Sequence, residues 1–206
     1  PLASAPPAVE LRDFRHGALV ARLPMGAAAL ARHGRPYWQF HRADLLGALA
    51  EAALAAGAGI ETGARVTRVV QDGARVRVVT EAGEVAAEAV VAADGARSGI
   101  RAELFGGQPP RFTGNVAWRG LVAAERLPPD AVPVATRVTM GQGRHLVTYP
   151  LRGGTLVNVV AIVRDRWNEK GWSVPGKFDE LITHFPPRAW RRQGRVHPSA
   201  FFDGGL

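Results

Sequence analysis

The chain has 206 residues, 47% hydrophobic and 21% charged, the balance of a globular protein with one large or two small domains. It contains no cysteine, which excludes disulfides, thiolate metal ligands and thiol catalysis, and no apolar run nears the roughly 18 residues needed to cross a bilayer. The net charge of +8 is carried almost wholly by arginines scattered singly, only Lys170 and Lys177 being lysines, so nucleic-acid binding is the outside reading.

The opening Pro1-Leu2-Ala3-Ser4-Ala5-Pro6-Pro7 lacks the apolar core of a signal peptide, and a cytoplasmic address is expected. Strands are predicted over Val9–Phe14 and Ala18–Leu23, joined as a hairpin at His16-Gly17. An Ala-rich stretch, Gly26–Arg32, predicts a short helix ended by Gly34-Arg35-Pro36. The clearest helix is 42–56, where Leu45, Leu46, Leu49, Ala52, Ala53 and Ala56 recur at helical spacing before Gly57 and Gly59. The period then changes to two. Short strands are predicted over Gly59–Thr62, Arg65–Val70, Arg75–Thr80 and Glu84–Ala92, with turns at Asp72-Gly73 and Ala82-Gly83. At the end of the last of these, Val90–Ala93 is an unbroken run of small apolar residues, as in a strand buried on both faces, and a short helix follows over Ser98–Phe105. Beyond Pro109-Pro110 the chain is strand-rich: Asn115–Ala124, Pro133–Met140, Arg144–Tyr149 and Thr155–Val163, then a helix over Lys177–Phe185 ended by Pro186-Pro187.

Two segments carry candidate chemistry. In Tyr37-Trp38-Gln39-Phe40-His41-Arg42-Ala43-Asp44, Arg42 stands at a helix start, where backbone donors and a guanidinium together suit an anion; the plain alternative is a solvated arginine with Asp44 as a cap. In Val90-Val91-Ala92-Ala93-Asp94-Gly95-Ala96-Arg97-Ser98-Gly99-Ile100-Arg101 an apolar run ends in an acid, a glycine and a helix start. Asp94 can accept from a sugar hydroxyl, Gly95 admits close backbone approach, and Arg97 and Arg101 can pair with phosphate. The alternative is an ordinary turn with Ser98 as N-cap. Six histidines are present, and His145, at the start of a strand, is the candidate base; the alternative is a solvated strand-end residue. Trp118 and Tyr149 are candidates for an aromatic pocket, and no metal site is expected.

Together the segments resemble the FAD-dependent aromatic monooxygenases, specifically the salicylate- and 3-hydroxybenzoate-hydroxylase branch. His41-Arg42-x-Asp44-Leu45 resembles that family's arginine motif, Asp94-Gly95-x-x-Ser98-x-x-Arg101 its Asp-Gly motif, and His145-Leu146-Val147-x-Tyr149-Pro150 a strand of its substrate sheet; Gly34-Arg35-Pro36-Tyr37 also fits. The resemblance covers roughly residues 9 to 185. It implies that Arg42 meets the FAD pyrophosphate or ribityl region and that Asp94 bonds the ribityl chain. The backbone near Val66 would meet adenine, and the Asp94, Gly95, Ser98 and Arg101 motif would also serve NAD(P)H. The implied reaction inserts one atom of O2 into a phenol-like ring of a small aromatic substrate, with His145 taking the phenolic proton.

The implied fold class is mixed α/β. A partial FAD-binding Rossmann-like region with a β-meander spans 1–109, an antiparallel substrate sheet spans 110–187, and 188–206 is an irregular tail. Neither the family's Gly-x-Gly-x-x-Gly turn nor its later Gly-Asp motif is present: Gly57-Ala58-Gly59 and Asp203-Gly204-Gly205 do not match. The chain therefore reads as the middle of a longer enzyme, poorly soluble if made alone, with its frame departing near residue 188. Another flavin-dependent oxidoreductase on the same scaffold (epoxidase, halogenase or reductase) and a non-catalytic remnant or binding module remain alternatives.

Overall fold

A computed structural model describes residues 2–128, 132–167 and 174–185. Internal contacts divide them into two units, one made of the chain up to Leu49 and from Gly114 onward, the other of Ala50–Thr113. The first 49 residues thus belong with the later sheet, which differs from a simple division near residue 109.

The larger unit is built on a six-stranded mixed sheet. Its strands are β2 (Ala8–Asp13), β3 (Leu19–Pro24), β8 (Asn115–Ala123), β9 (Thr136–Gly141), β10 (Arg144–Leu151) and β11 (Leu156–Arg164), in the order β3-β2-β9-β10-β11-β8. All neighbours run antiparallel except β2 and β9, which pair parallel with Val9 opposite Thr136. The β2–β3 hairpin forms as expected, closed by Asp13, whose side chain accepts from the backbone N–H groups of Arg15 and His16. A two-stranded ribbon, β1 (Ala3–Ser4) with β4 (Gln39–Phe40), and two helices, α1 (Ala27–His33) and the long α2 (Arg42–Ala55), complete the front of the chain. The helix α4 (Phe178–His184) follows β11.

Residue alternation gives this sheet two different faces. On one, Leu146, Val157, Val159, Ala161, Val163 and Val122 form the core with Leu181 and Phe185 at the end of α4. Phe14 meets Phe185 edge to face at 6.4 Å, and Trp118 packs against the same cluster. Arg144 donates to the carbonyl of His184, and His184 pairs with Asp165 at 3.1 Å, so the end of α4 is tied to the sheet by polar contacts as well. The opposite face carries His145, Tyr149, Asn158 and Arg119.

The smaller unit is an antiparallel meander of β5 (Val66–Asp72), β6 (Arg75–Thr80) and β7 (Gly83–Ala87), followed by α3 (Gly99–Phe105). The two glycine turns form where the sequence predicts them. Two expectations fail here. Residues 59–62 form no strand, and Val90–Ala93 is neither a strand nor buried, Val91 being 90% exposed. A parallel strand exists only through its neighbours, and among the described residues none pairs with this run. Only Val69 and Ser98 of the described residues in this unit are buried, while Phe105 is 80% exposed. In the larger unit, Trp190, Phe201 and Phe202 of the predicted irregular tail lie outside the described residues.

Candidate functional site

The face of the large sheet opposite the α4 core can be mapped from strand register. Val138, Val147, Val160 and Arg119 form one row across β9, β10, β11 and β8. On one side of this row lie Tyr149, Asn158 and Leu121; on the other lie Met140, His145, Ile162 and Ala117. Rows on one face are about 7 Å apart and strands about 4.8 Å apart. Val147 and Val160 therefore make an apolar floor about the size of one aromatic ring. Tyr149 and Asn158 stand along one edge, Arg119 at a second and His145 at a third. His145 and Tyr149 share β10 and its face but are about 14 Å apart along the strand, so a ring over Val147 lies between them.

The polar groups of this face act on one another. Burial pushes the Tyr149 phenol above its ordinary pKa; the Arg119 charge and the hydrogen-bonding Asn158 side chain oppose that rise, and the nearby Tyr37 adds to it. Tyr149 is thus held protonated at neutral pH and is a hydrogen-bond donor there. Arg119 and Asn158 are not evident from the sequence, though alternation along Asn115–Ala123 puts Arg119 on the face opposite Trp118. Trp118 and Tyr149 are consequently not brought together: Trp118 belongs to the packed core face.

Beside this face, β4 buries Gln39 to 8% exposure. Its Nε2 donates to Thr136 Oγ at 2.7 Å and toward the Tyr37 hydroxyl at 3.4 Å. That side chain links the segment ahead of α2 to β9 and was not singled out by the sequence. One cleft of this unit is lined by Asp13, Phe14, Met140 and Arg144 and another by Ser4, Pro6, Val134 and Pro150; neither of these includes His145 or Tyr149.

Arg42 is the first residue of α2 and is exposed; no ion pair or hydrogen bond engages its guanidinium among the described residues. His41 supplies the carbonyl that accepts from Leu45, so Arg42 lies in the first turn, where free backbone N–H groups favour an anion. Asp44, in the same turn, is held below its usual pKa chiefly by hydrogen bonds from Arg152; desolvation opposes this, and the charges of Arg152 and then His41 add to the lowering.

In the smaller unit, Asp94, Gly95, Ser98 and Arg101 form one turn-and-helix device. Gly95 sits at φ +82°, the left-handed region that favours glycine. Ser98 caps α3 by accepting from the Arg101 N–H at 2.9 Å, and the Arg101 guanidinium donates to the Ala96 carbonyl at 2.8 Å. The Asp94 pKa is lowered chiefly by the Ser98 hydroxyl and also by backbone N–H groups at the start of α3, despite partial desolvation. Ser98 and Arg101 therefore spend their polar groups locally, while the solvent-facing Asp94 carboxylate retains acceptor capacity. Val66 opens β5 at a register irregularity between Val66 and Arg68 and is 40% exposed.

The chain thus combines a mixed sheet that has one helix-covered and one polar-rimmed face with a meander and an Asp-Gly helix turn. The chain belongs to the FAD dependent oxidoreductase family, whose model matches residues 15–185. It is 35% identical over 181 residues to a 3-amino-4-hydroxybenzoate 2-monooxygenase of Streptomyces platensis, covering 86% of this chain and 45% of that protein. It is 33% identical over 196 residues to a 3-hydroxybenzoate 6-hydroxylase of Polaromonas naphthalenivorans, covering 88% of this chain and 49% of the relative. Among solved structures, Klebsiella pneumoniae HpxO complexed with FAD and uric acid superposes with a TM-score of 0.72 at 24% identity, over 95% of this chain and 50% of that one. A salicylate hydroxylase substrate complex superposes with a TM-score of 0.68 at 24% identity, over 89% and 49%. The chain spans about half the length of the curated relatives it matches. Among its described residues no helix is long and apolar enough to cross a membrane.

Proposed function

We propose that the chain supplies the substrate sheet and part of the cofactor site of a flavin-dependent hydroxylase. The enzyme would act on a phenolic aromatic carboxylate with NAD(P)H and O2, in the cytoplasm where NAD(P)H is made. The observation that carries this reading is the Val147–Val160 floor with Tyr149, Asn158, Arg119 and His145 around it. An aromatic ring fits the floor, a carboxylate suits Arg119, and a phenolic hydroxyl suits His145 or Tyr149.

The residues present fit FAD. Arg42 offers an exposed guanidinium, unengaged among the described residues, in the first turn of a 14-residue helix, suited to a pyrophosphate, and Asp94 offers a carboxylate acceptor suited to a ribityl hydroxyl. Gly95 and the start of α3 continue that binding element, and the backbone at Val66 would meet adenine. When bound, FAD carries electrons from NAD(P)H to O2, so that one oxygen atom enters the ring and the other leaves as water. Arg119 fixes the carboxylate and thereby the ring position presented for attack. Tyr149 donates to a substrate oxygen, with Asn158 holding the phenol in place. An imidazole nitrogen of His145 takes the phenolic proton, which raises electron density in the ring.

The test uses the full-length protein. Purification should give a yellow protein with a flavin absorbance band, and NAD(P)H oxidation should rise with a hydroxybenzoate and yield a product heavier by one oxygen atom. Absence of flavin, or indifference to every hydroxybenzoate tried, overturns the proposal.

A further inference from the structure

We propose that Arg152 is a positioning residue for the cofactor: its guanidinium fork grips Asp44 and so fixes the first turn of α2, which carries Arg42. This rests on the reading of Arg42 as a cofactor contact. Arg152 Nε donates to Asp44 Oδ2 at 2.7 Å and Nη2 to Oδ1 at 2.6 Å, a two-point grip between residues 108 apart in sequence. The Asp44 side chain is 13% exposed and that of Arg152 46%, so the grip is open to solvent on the guanidinium side and is distinguished by its two-point geometry. The same carboxylate faces His41 Nδ1 at 3.7 Å, beyond hydrogen-bond range, so Arg152 is its hydrogen-bonding partner in this turn.

The backbone at Arg152 strengthens the case. Among the described residues it is the only non-glycine at positive φ, +48°, and Gly153 and Gly154 beside it are also left-handed. Glycine would occupy that position without strain, whereas arginine there needs surroundings that hold it. Those surroundings are specific: the Gly153 N–H donates to the buried Ser4 hydroxyl, and the Thr155 hydroxyl donates to the Arg152 carbonyl. The turn after β10 is thus shaped to aim a guanidinium at α2. Because β10 also carries His145 and Tyr149, one side-chain contact ties the proposed substrate strand to the proposed cofactor helix.

The experiment measures FAD dissociation constants and cofactor-free melting temperatures in the full-length protein for R152G, D44N, the exchange D44R/R152D, and R42M. R152G keeps a residue suited to positive φ and removes only the fork. R152G and D44N should each weaken FAD binding about 10-fold, as expected for one displaced charge-assisted contact, while the cofactor-free melting temperature of R152G holds or rises. The exchange variant should recover most of the affinity, since aspartate tolerates the left-handed backbone. Wild-type FAD affinity in R152G alongside loss in R42M overturns the positioning role. So does a fall in melting temperature that matches the lost affinity and is not rescued by exchange. If R42M itself binds FAD like wild type, the Arg42 reading has failed, and the role of Arg152 falls with it.

Discussion

Replacing Arg119 by methionine should separate recognition of the substrate carboxylate from every other function of the sheet. Arg119 lies in the row of Val160 and Val147, at the rim of the floor, and is exposed. A charge-assisted hydrogen bond from a guanidinium to a carboxylate contributes about 1.5–3 kcal/mol. The gross Coulomb attraction at about 4 Å and an effective dielectric of about 20 is about 4 kcal/mol, so the lower figure already allows for lost hydration. At about 1.4 kcal/mol per decade, Arg119→Met should weaken binding of a hydroxybenzoate about 10- to 150-fold. The matching phenol without a carboxylate should bind almost as before. Folding stability should change by less than about 0.5 kcal/mol, because the side chain is exposed and outside the core. The assay is titration of the flavin absorbance of the full-length protein with both ligands, beside a urea unfolding curve. Equal losses for the acid and the phenol would show that Arg119 shapes the face without reading the carboxylate.

Leu181→Ala, at a site 2% exposed between α4 and the sheet, should cost about 2–5 kcal/mol in urea unfolding; a cost below about 1 kcal/mol would mean that α4 is not held through this residue. At Gly95 a Cβ meets no atom within 4 Å, so Gly95→Ala should cost only the backbone penalty at φ +82°, about 1–2 kcal/mol, and should weaken FAD binding; unchanged unfolding and affinity would argue that this turn is not constrained. His145→Ala should slow hydroxylation and move its pH profile, and unchanged turnover removes His145 as the base. Asp44 and Asp94 both have folded pKa values below 3.8, so their stabilising effect is complete above that value and is lost as pH falls through the lowered ones. Acid unfolding of D44N should therefore show a shallower decline below about pH 4 than wild type, and an identical decline would contradict the Asp44–Arg152 coupling.

Local signals in the sequence translated well. The Leu and Ala spacing after Arg42 gives α2 almost to the residue, and Asp72-Gly73 and Ala82-Gly83 turn where expected. These features depend on contacts a few residues apart. Val90–Ala93 shows the limit: its composition suits a buried parallel strand, but strand formation needs partners that hydrophobicity cannot supply, and Val91, Ala92 and Ala93 are exposed. The parallel pairing of β2 with β9 joins Val9 to Thr136 and has no local signature at all.

The site was legible to the same degree and for the same reason. His145 and Tyr149 have the even spacing that puts both on one face of β10, which a sequence reveals unaided. Trp118 and Arg119 show why that is insufficient. They are adjacent, so one must face the core and the other the open floor, and the choice is made by which strand lies opposite. The Val160–Arg119 and Ala161–Trp118 pairings make it: Ala161 is 1% exposed in the core, so Trp118 follows it inward and Arg119 turns out beside Val160. A shift of one residue in that register would exchange the two, burying a guanidinium and removing the only cation in the Val147–Val160 row. The burial of Val157, Val159, Ala161 and Val163 against α4 opposes such a shift, so the packing on the rear face also sets the chemistry of the front.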